Sequence, residues 1–241
     1  MKRVVVLSGA GMSAESGLQT FRGADGLWEG HRVEDVATPE AWAANPGLVL
    51  DFYNKRRRAV REAEPNVAHR GLVDLERVYD VRIVTQNVDG LHQAAGHEPE
   101  NVIEVHGTVR YSRCWDCEDR RPMRDTLDRV RAGEADPPCL VCGGILKSDT
   151  ISFGQSLVPE VIERALRVSE ECEVMLAVGS TLSVFPAANC VPRARASGAR
   201  VVIVNGQETS MDRYADAVLV GGISELLPEL VGAALDRGGN T

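Results

Sequence analysis

The chain has 241 residues, 44% of them hydrophobic and 26% charged, with a formal net charge of −8 at pH 7. These proportions suit one large globular domain carrying a smaller insertion and exclude a disordered chain. The acidic balance argues against a dedicated nucleic-acid or anionic-membrane binder, which gains affinity from clustered Lys and Arg, and favours a small-molecule or protein substrate.

The first apolar run, "VVVL", stops at Ser8 and Gly9, too short for the core of a secretion signal. No stretch approaches the ~18 apolar residues of a membrane span, so a cytoplasmic protein is expected. In that reducing compartment the six cysteines read as metal ligands, catalytic thiols or core residues, with no disulfide framework. Strands are expected over 3–8, 81–87, 101–107, 173–180, 199–205 and 216–222, and helices over 46–62, 66–78, 159–170, 184–197 and 223–235. Near-continuous apolar strands alternating with helices predict an α/β fold with a doubly wound parallel, Rossmann-like sheet. Two segments break the rhythm: 25–65, with two Trp and a basic run, and 109–148, with four cysteines. They predict a small lobe made of a helical insertion and a zinc module. The large lobe comprises 1–24, 66–108 and 149–241.

Directly after the first strand, Gly9, Gly11 and Ala14 satisfy G-x-G-x-x-G/A. Such glycines let a backbone approach a pyrophosphate; they also serve turns that need glycine for backbone reasons alone. An ordinary dinucleotide fold continues into a second strand and a ribose-binding acid, whereas this chain runs on into "TFRGADGLWEGHRVEDVATPE". At the next strand end, "TQNVDGLH" holds Gln86, Asn87 and Asp89, where ligands sit in open α/β sheets; a helix-capping turn also fits Asn87 and Asp89. A third strand end carries His106, whose ordinary pKa suits general-base work although a lone His is often structural.

Cys114 with Cys117 and Cys139 with Cys142 form two C-x2-C knuckles separated by 21 residues, 118 to 138. Four thiolates complete a tetrahedral shell for one structural Zn²⁺. Cys172 and Cys190 stand in apolar helical surroundings and read as core.

In this order, "GAGMSAESGLQTFRG", "TQNVDGLH", "HG", the paired knuckles, "FGQSL", "GSTLSVFPAA" and "VNGQ" resemble the sirtuin family of NAD-dependent protein lysine deacylases over nearly the whole chain. The resemblance implies that NAD is consumed as a co-substrate, with release of nicotinamide and O-acyl-ADP-ribose. It places Gly9, Ala10, Gly11, Ser13, Ala14 and Arg22 near the diphosphate-ribose, Phe21 over the reactive ribose face, and Trp28 and Val88 beside the cofactor. Gln86, Asn87 and Asp89 are implied at the ribose and nicotinamide, with Asn87 and Asp89 assisting catalysis and His106 as general base. Gly179, Ser180, Thr181, Asn205, Gly206 and Gln207 are implied at the adenosine end, and Phe153 and Gly154 at the acyl-lysine protein substrate.

Tyr53 and Arg56 stand three apart on the 46–62 helix, with Lys55, Arg57 and Arg58 read as solvated. Together with the small Ala24 they resemble class III sirtuins, which remove malonyl, succinyl or glutaryl groups, so acidic acyl-lysine is an expected substrate beside acetyl-lysine. Gln19, Gln155, Ile151 and Ser152 depart from the commoner family residues, as does Ile223 at the adenine end. The chain is read as a monomer without nucleic-acid or membrane partners. An ADP-ribosyltransferase and a non-enzymatic NAD or ADP-ribose sensor remain open alternatives.

Overall fold

Runs of Val, Ile and Leu with no polar alternation must be covered on both faces, and they are. The computed structural model describes residues 1–20 and 32–238. After β1 (Arg3–Ser8) and a 3-10 turn at Ala10–Ser16 come α1 (Val33–Val36), α2 (Pro39–Ala44), α3 (Pro46–Glu62), α4 (Val67–Leu75), β2 (Asp80–Thr85), α5 (Leu91–Ala95) and β3 (Val102–Glu104). A second unit follows with β4 (Gly107–Cys114), β5 (Arg120–Pro122), α6 (Met123–Arg131) and β6 (Leu146–Thr150). The chain then returns through α7 (Pro159–Glu170), β7 (Val174–Val178), α8 (Cys190–Ala196), β8 (Arg200–Asn205), β9 (Ala217–Val220) and α9 (Ile223–Gly238).

Six strands form one sheet in the order β3-β2-β1-β7-β8-β9, and every pair is parallel. Successive side chains point to opposite faces. Val5, Leu7, Met175 and Ile203 therefore meet α7 and α8, while Val6, Ile83 and Val204 meet Leu72 of α4 and Leu227 of α9. The strand order reverses between β1 and β7, the switch point at which open α/β sheets leave a crevice for ligands. Among the described residues no helix is long and apolar enough to cross a membrane.

The helical insertion has its own small core of Val36, Ala37 and Phe52 with Leu48 and Tyr53 against it. Its long helix α3 starts where Asn45 Oδ1 accepts the Leu48 N–H at 3.2 Å, with Pro46 in the first turn. The cysteine unit is an antiparallel sheet, β5-β4-β6, which reaches two residues past each end of the 109–148 segment.

Two expected elements differ. The run 101–107 is not one strand: β3 ends at Glu104, and β4 starts at Gly107 in the other sheet. Gly107 turns the chain at φ +77°, and a Cβ there would meet Asp149 O at 2.2 Å. The helix expected over 184–197 begins at Cys190, behind a 3-10 turn at Ala187–Asn189, because the Pro186 ring disfavours helical backbone at the preceding Phe185.

Gly179, just past β7, has φ +62°, and a Cβ on it would sit 2.3 Å from Met12 N. Gly17 has φ +84° but open space around it. Gly17→Ala should therefore cost about 1 kcal/mol, the left-handed penalty alone, and Gly179→Ala about 3 kcal/mol or more because backbone must also move. Denaturant unfolding of the two variants measures the difference.

Candidate active site

The crevice at the switch point is built by backbone packed on backbone. Gly9 N donates to Val178 O at 3.0 Å and Gly11 N to Gly179 O at 2.8 Å. A Cβ on Gly9 would meet Gly179 O and Ser180 Cβ at 2.7 Å, and one on Gly11 would meet Gly179 Cα at 2.9 Å. Backbone reasons for glycine are thus real at both positions. The Gly9 and Gly11 N–H groups are already bonded, so what they leave to a ligand is close approach, with no free donor. Ala10 and Gly11 remain partly exposed and Ala14 is exposed, while Ser13 is buried.

A polar chain crosses from this turn to the end of β2. Asn87 Nδ2 donates to Gly9 O at 2.9 Å and to Ser13 Oγ at 3.1 Å. Ser13 Oγ in turn donates to Asp89 Oδ2 at 2.8 Å. Asp89 Oδ1 also accepts the Leu91 N–H at 2.9 Å, so the capping reading and the site reading hold together for this residue. Gln86 Nε2 donates to Ser180 Oγ at 2.8 Å, tying β2 to the loop after β7. Val88 is half-buried beside them, and its carbonyl accepts the Val109 N–H at 2.9 Å.

His106 sits in the link between the two sheets. Its Nδ1 lies 3.0 Å from Gln86 O; a carbonyl only accepts, so Nδ1 carries the proton and Nε2 is the ring's acceptor. Burial lowers its pKa, opposed by that backbone bond. The His106 carbonyl accepts the Ile151 N–H at 2.9 Å, and Phe153 N donates to Ala37 O at 3.0 Å. Phe153 and Gly154 are exposed at the mouth of this region. Gln155 closes a turn there, its Oε1 accepting the Ser152 N–H at 3.1 Å.

At the far end of the crevice Ser180 is buried and Thr181 half-buried, with Thr181 Oγ1 2.8 Å from Ser183 Oγ. Asn205 Nδ2 donates to Gln207 O at 2.8 Å, and Gly206 and Gln207 are exposed beyond β8. Ile223 is buried, and its Cδ1 would lie 2.9 Å from a Cβ on Gly179. Phe21, Arg22, Ala24 and Trp28 lie outside the described residues, as does the Arg56 side chain.

Tyr53 lines a cleft between α3 and β6 together with Val49 and Arg57, Trp42, Trp115, Lys147, the strand residues Ser148 and Thr150, and Ser152 just beyond them. Spacing of four on the helix and two on the strand explains which residues meet there. Arg57 is therefore not a solvated charge: its Nε donates to Ser148 Oγ at 3.1 Å, and burial lowers its pKa. Lys147 is lowered by burial too, with Nζ on the carbonyls of Ser148 and Thr150 at 3.1 and 2.7 Å. Arg57 reads as solvated in sequence because it stands in a charge run, and Lys147, between Leu146 and Ser148, carries no sequence signal of its own.

The Sγ atoms of Cys114, Cys117, Cys139 and Cys142 lie within 4.8 Å of one another. Two of the separations, Cys114–Cys142 and Cys117–Cys139, are 3.5 and 3.6 Å, far beyond an S–S bond and close to the ~3.8 Å edge of a Zn–S₄ tetrahedron. Amide N–H groups of Asp116, Val141 and Gly144 each point at a knuckle sulfur at 3.4 Å, which supports thiolate charge. The set fits Zn²⁺, and four protein ligands leave no position open for substrate. Cys172 and Cys190 are buried thiols, the first pushed up to about 11 by burial, as expected of core residues.

A profile described as the Sir2 family matches residues 9–186. The chain belongs to the Sir2 family. It is 46% identical over 231 residues to "NAD-dependent protein deacetylase 2" of Streptomyces coelicolor, covering 95% of this chain and 96% of that one. It is 40% identical over 233 residues to an "NAD-dependent protein deacylase" of Pyrococcus abyssi, covering 95% and 92%. The crystal structure of a Sir2 homolog–NAD complex superposes with a TM-score of 0.88 at 37% identity, covering 98% of this chain and 91% of that chain. Glycines packed on Gly179 bring the strand ends together, and the polar chain Asn87–Ser13–Asp89 lines the crevice beside them, so the residues present fit NAD.

The cysteine centre is covalently continuous with the crevice through β4 and β6. Stripping the metal should unfold the 107–150 unit and lower the melting temperature, with recovery on adding back about one Zn²⁺ per chain. Metal analysis beside a calorimetric melt measures both; Cys117→Ser should reproduce the loss.

Proposed function

We propose that this Sir2-family chain is an NAD-dependent protein lysine deacylase that releases nicotinamide and O-acyl-ADP-ribose. The observation that carries the reading is His106: its proton is pinned to Gln86 O on the Nδ1 side, which presents Nε2 as a base beside the polar chain Gly9–Asn87–Ser13–Asp89. The acyl oxygen of a modified lysine attacks the ribose carbon as the bond to nicotinamide breaks. His106 Nε2 then takes a proton through the ribose hydroxyls so that the sugar oxygen attacks the acyl carbon; lysine leaves as the amine with a proton returned by His106, and one water adds to the cyclic acyl-ribose that remains, giving O-acyl-ADP-ribose. General-base help of this kind contributes about 10²–10⁴-fold. Gln86, Asn87 and Asp89 hold the ribose and the nicotinamide amide, Gly9, Ala10, Gly11, Ser13 and Ala14 the diphosphate side, and Gly179, Ser180, Thr181 and Asn205 through Gln207 the adenosine side. The large lobe of the sequence division carries these residues and the small lobe the metal.

Within the same reading we propose acidic acyl groups, malonyl and succinyl, as substrates beside acetyl. What supports this is the cleft at Tyr53, where the Arg57 and Lys147 cations are partly desolvated and a phenol and a guanidinium offer a carboxylate directional donors. Arg56 on the same helix is assigned the bidentate contact by resemblance.

Nicotinamide release should require an acyl-lysine peptide and fall at least about 10²-fold in His106→Ala; peptide-independent NAD binding without release would instead indicate a sensor. Tyr53→Phe combined with Arg56→Met should reduce succinyl and malonyl turnover far more than acetyl turnover, and equal losses would refute the acyl assignment.

The pH dependence follows from His106. Its folded pKa lies below the ordinary value of about 6.5 because of burial, and the neutral ring is the active form. Activity is therefore full above that pKa and lost as pH falls through it, so the acidic midpoint of kcat/KM should lie below pH 6.5. A midpoint above 6.5 would contradict the assignment.

A further inference from the structure

Behind the crevice lies a cluster of three histidines that the reaction does not use. His69 of α4, His92 of α5 and His97 are each at most 2% exposed. The His69 and His92 rings meet edge to face with centroids 5.0 Å apart, and His97 stands 5.7 Å from His92. Such rings in a hydrophobic layer call for a reason, because an aromatic hydrocarbon would pack as well with no polar atoms to satisfy.

Each of the first two rings leads to one wall of the crevice. His92 Nε2 is 2.8 Å from Ser8 Oγ. Ser8 Oγ donates to Thr85 Oγ1 at 2.8 Å, and Thr85 Oγ1 accepts the Asn87 backbone N–H at 3.0 Å. Ser8 and Thr85 are register partners at the ends of β1 and β2, so the chain bridges both strands just before they open into the site. His69 reaches the other wall. Asn66 Oδ1 accepts the N–H groups of Ala68 and His69 at 3.0 and 3.2 Å, so it is the amide oxygen, and His69 Nδ1 lies 2.9 Å from it and 3.4 Å from the Asn66 backbone N–H, which closes a capping box. The Asn66 amide then donates to Met12 O at 2.9 Å, inside the glycine turn. Burial holds His69 down to about 4 and His92 well below the ordinary imidazole range, so both rings are neutral and each offers one donor and one acceptor.

We infer that His92 and His69 are positioning residues for NAD, a buried imidazole pair that sets the glycine turn and the Asn87 loop against each other through Ser8–Thr85–Asn87 on one side and Asn66–Met12 on the other. The inference rests on the proposed reading of the crevice as the NAD site. It separates these residues from ordinary core: their removal acts on cofactor affinity through hydrogen bonds and leaves the acyl-peptide side untouched.

The test compares the unmodified chain with His92→Leu, His92→Gln and Ser8→Ala. ADP-ribose affinity is read by titration calorimetry, KM for NAD and for peptide by steady-state kinetics, and folding by thermal melts. His92→Leu and Ser8→Ala should each weaken ADP-ribose binding and raise KM for NAD about tenfold, the scale of one lost positioning hydrogen bond, with peptide KM changed less than about twofold. His92→Gln, which keeps an amide donor for Ser8, should recover most of the affinity at a melting temperature similar to that of the Leu variant. Should His92→Leu fail to fold, Ser8→Ala decides, since it breaks the same chain by deleting one oxygen. Unchanged ADP-ribose affinity in Ser8→Ala, or equal losses in the Gln and Leu variants, overturns the inference while the deacylase reading stands. If the unmodified chain binds neither NAD nor ADP-ribose, both fall.

Discussion

The close approach of Gly9 and Gly11 to Gly179 is the contact on which the rest depends. It occurs where the sheet reverses its strand order, between β1 and β7, and it is made of backbone only, with Cβ positions that would lie 2.3 to 2.9 Å from main-chain atoms. Side chains at any of the three would push the two strand ends apart. Because they are absent, the loops after β1, β2 and β7 converge closely enough for Asn87 to bond Gly9 O and Ser13, and for Gln86 to bond Ser180. Catalytic geometry here is a consequence of what the backbone can do without side chains.

The second sheet is joined to that crevice at one short link. Gly107 turns the chain out of β3 into β4, and the returning segment after β6 bonds back to the His106 carbonyl through Ile151 N. The proposed base is thus held on both sides, by Gln86 O at its ring and by Ile151 at its backbone. The four cysteines stabilise this arrangement indirectly: they close a unit of three strands whose helix α6 has no buried residue, too little apolar surface to order itself without a metal. Asp149, which accepts from Arg113 and Arg120 at 2.6 and 2.5 Å, adds a charged clamp across the same sheet.

Electrostatics divides the molecule in a similar way. Charged pairs such as Arg195 with Asp216 lie on the surface and contribute little each. Four groups whose titration is displaced by burial, His106, His69, His92 and Glu104, stand at or behind the strand ends around the crevice, while Arg57 and Lys147 are displaced in the Tyr53 cleft and Cys172 and Cys190 in the core.

Much of this was legible in sequence because it depends on local pattern. Near-continuous apolar runs set the parallel sheet, C-x2-C pairs set a four-thiolate centre, and polar residues just past strand ends set the crevice, since in a parallel sheet those ends must lie side by side. Tertiary structure alone decided three things. It split the 101–107 run at His106, because only the contact with Asp149 shows why Gly107 must turn. It drew Arg57 out of a basic run and into the cleft with Tyr53, because burial of one charge among several depends on which sheet the helix meets. And it joined His69, His92, Ser8 and Thr85, residues up to 84 positions apart, into one support for the glycine turn. Local periodicity reports which face a residue takes; which partner waits on that face is fixed only when distant segments pack.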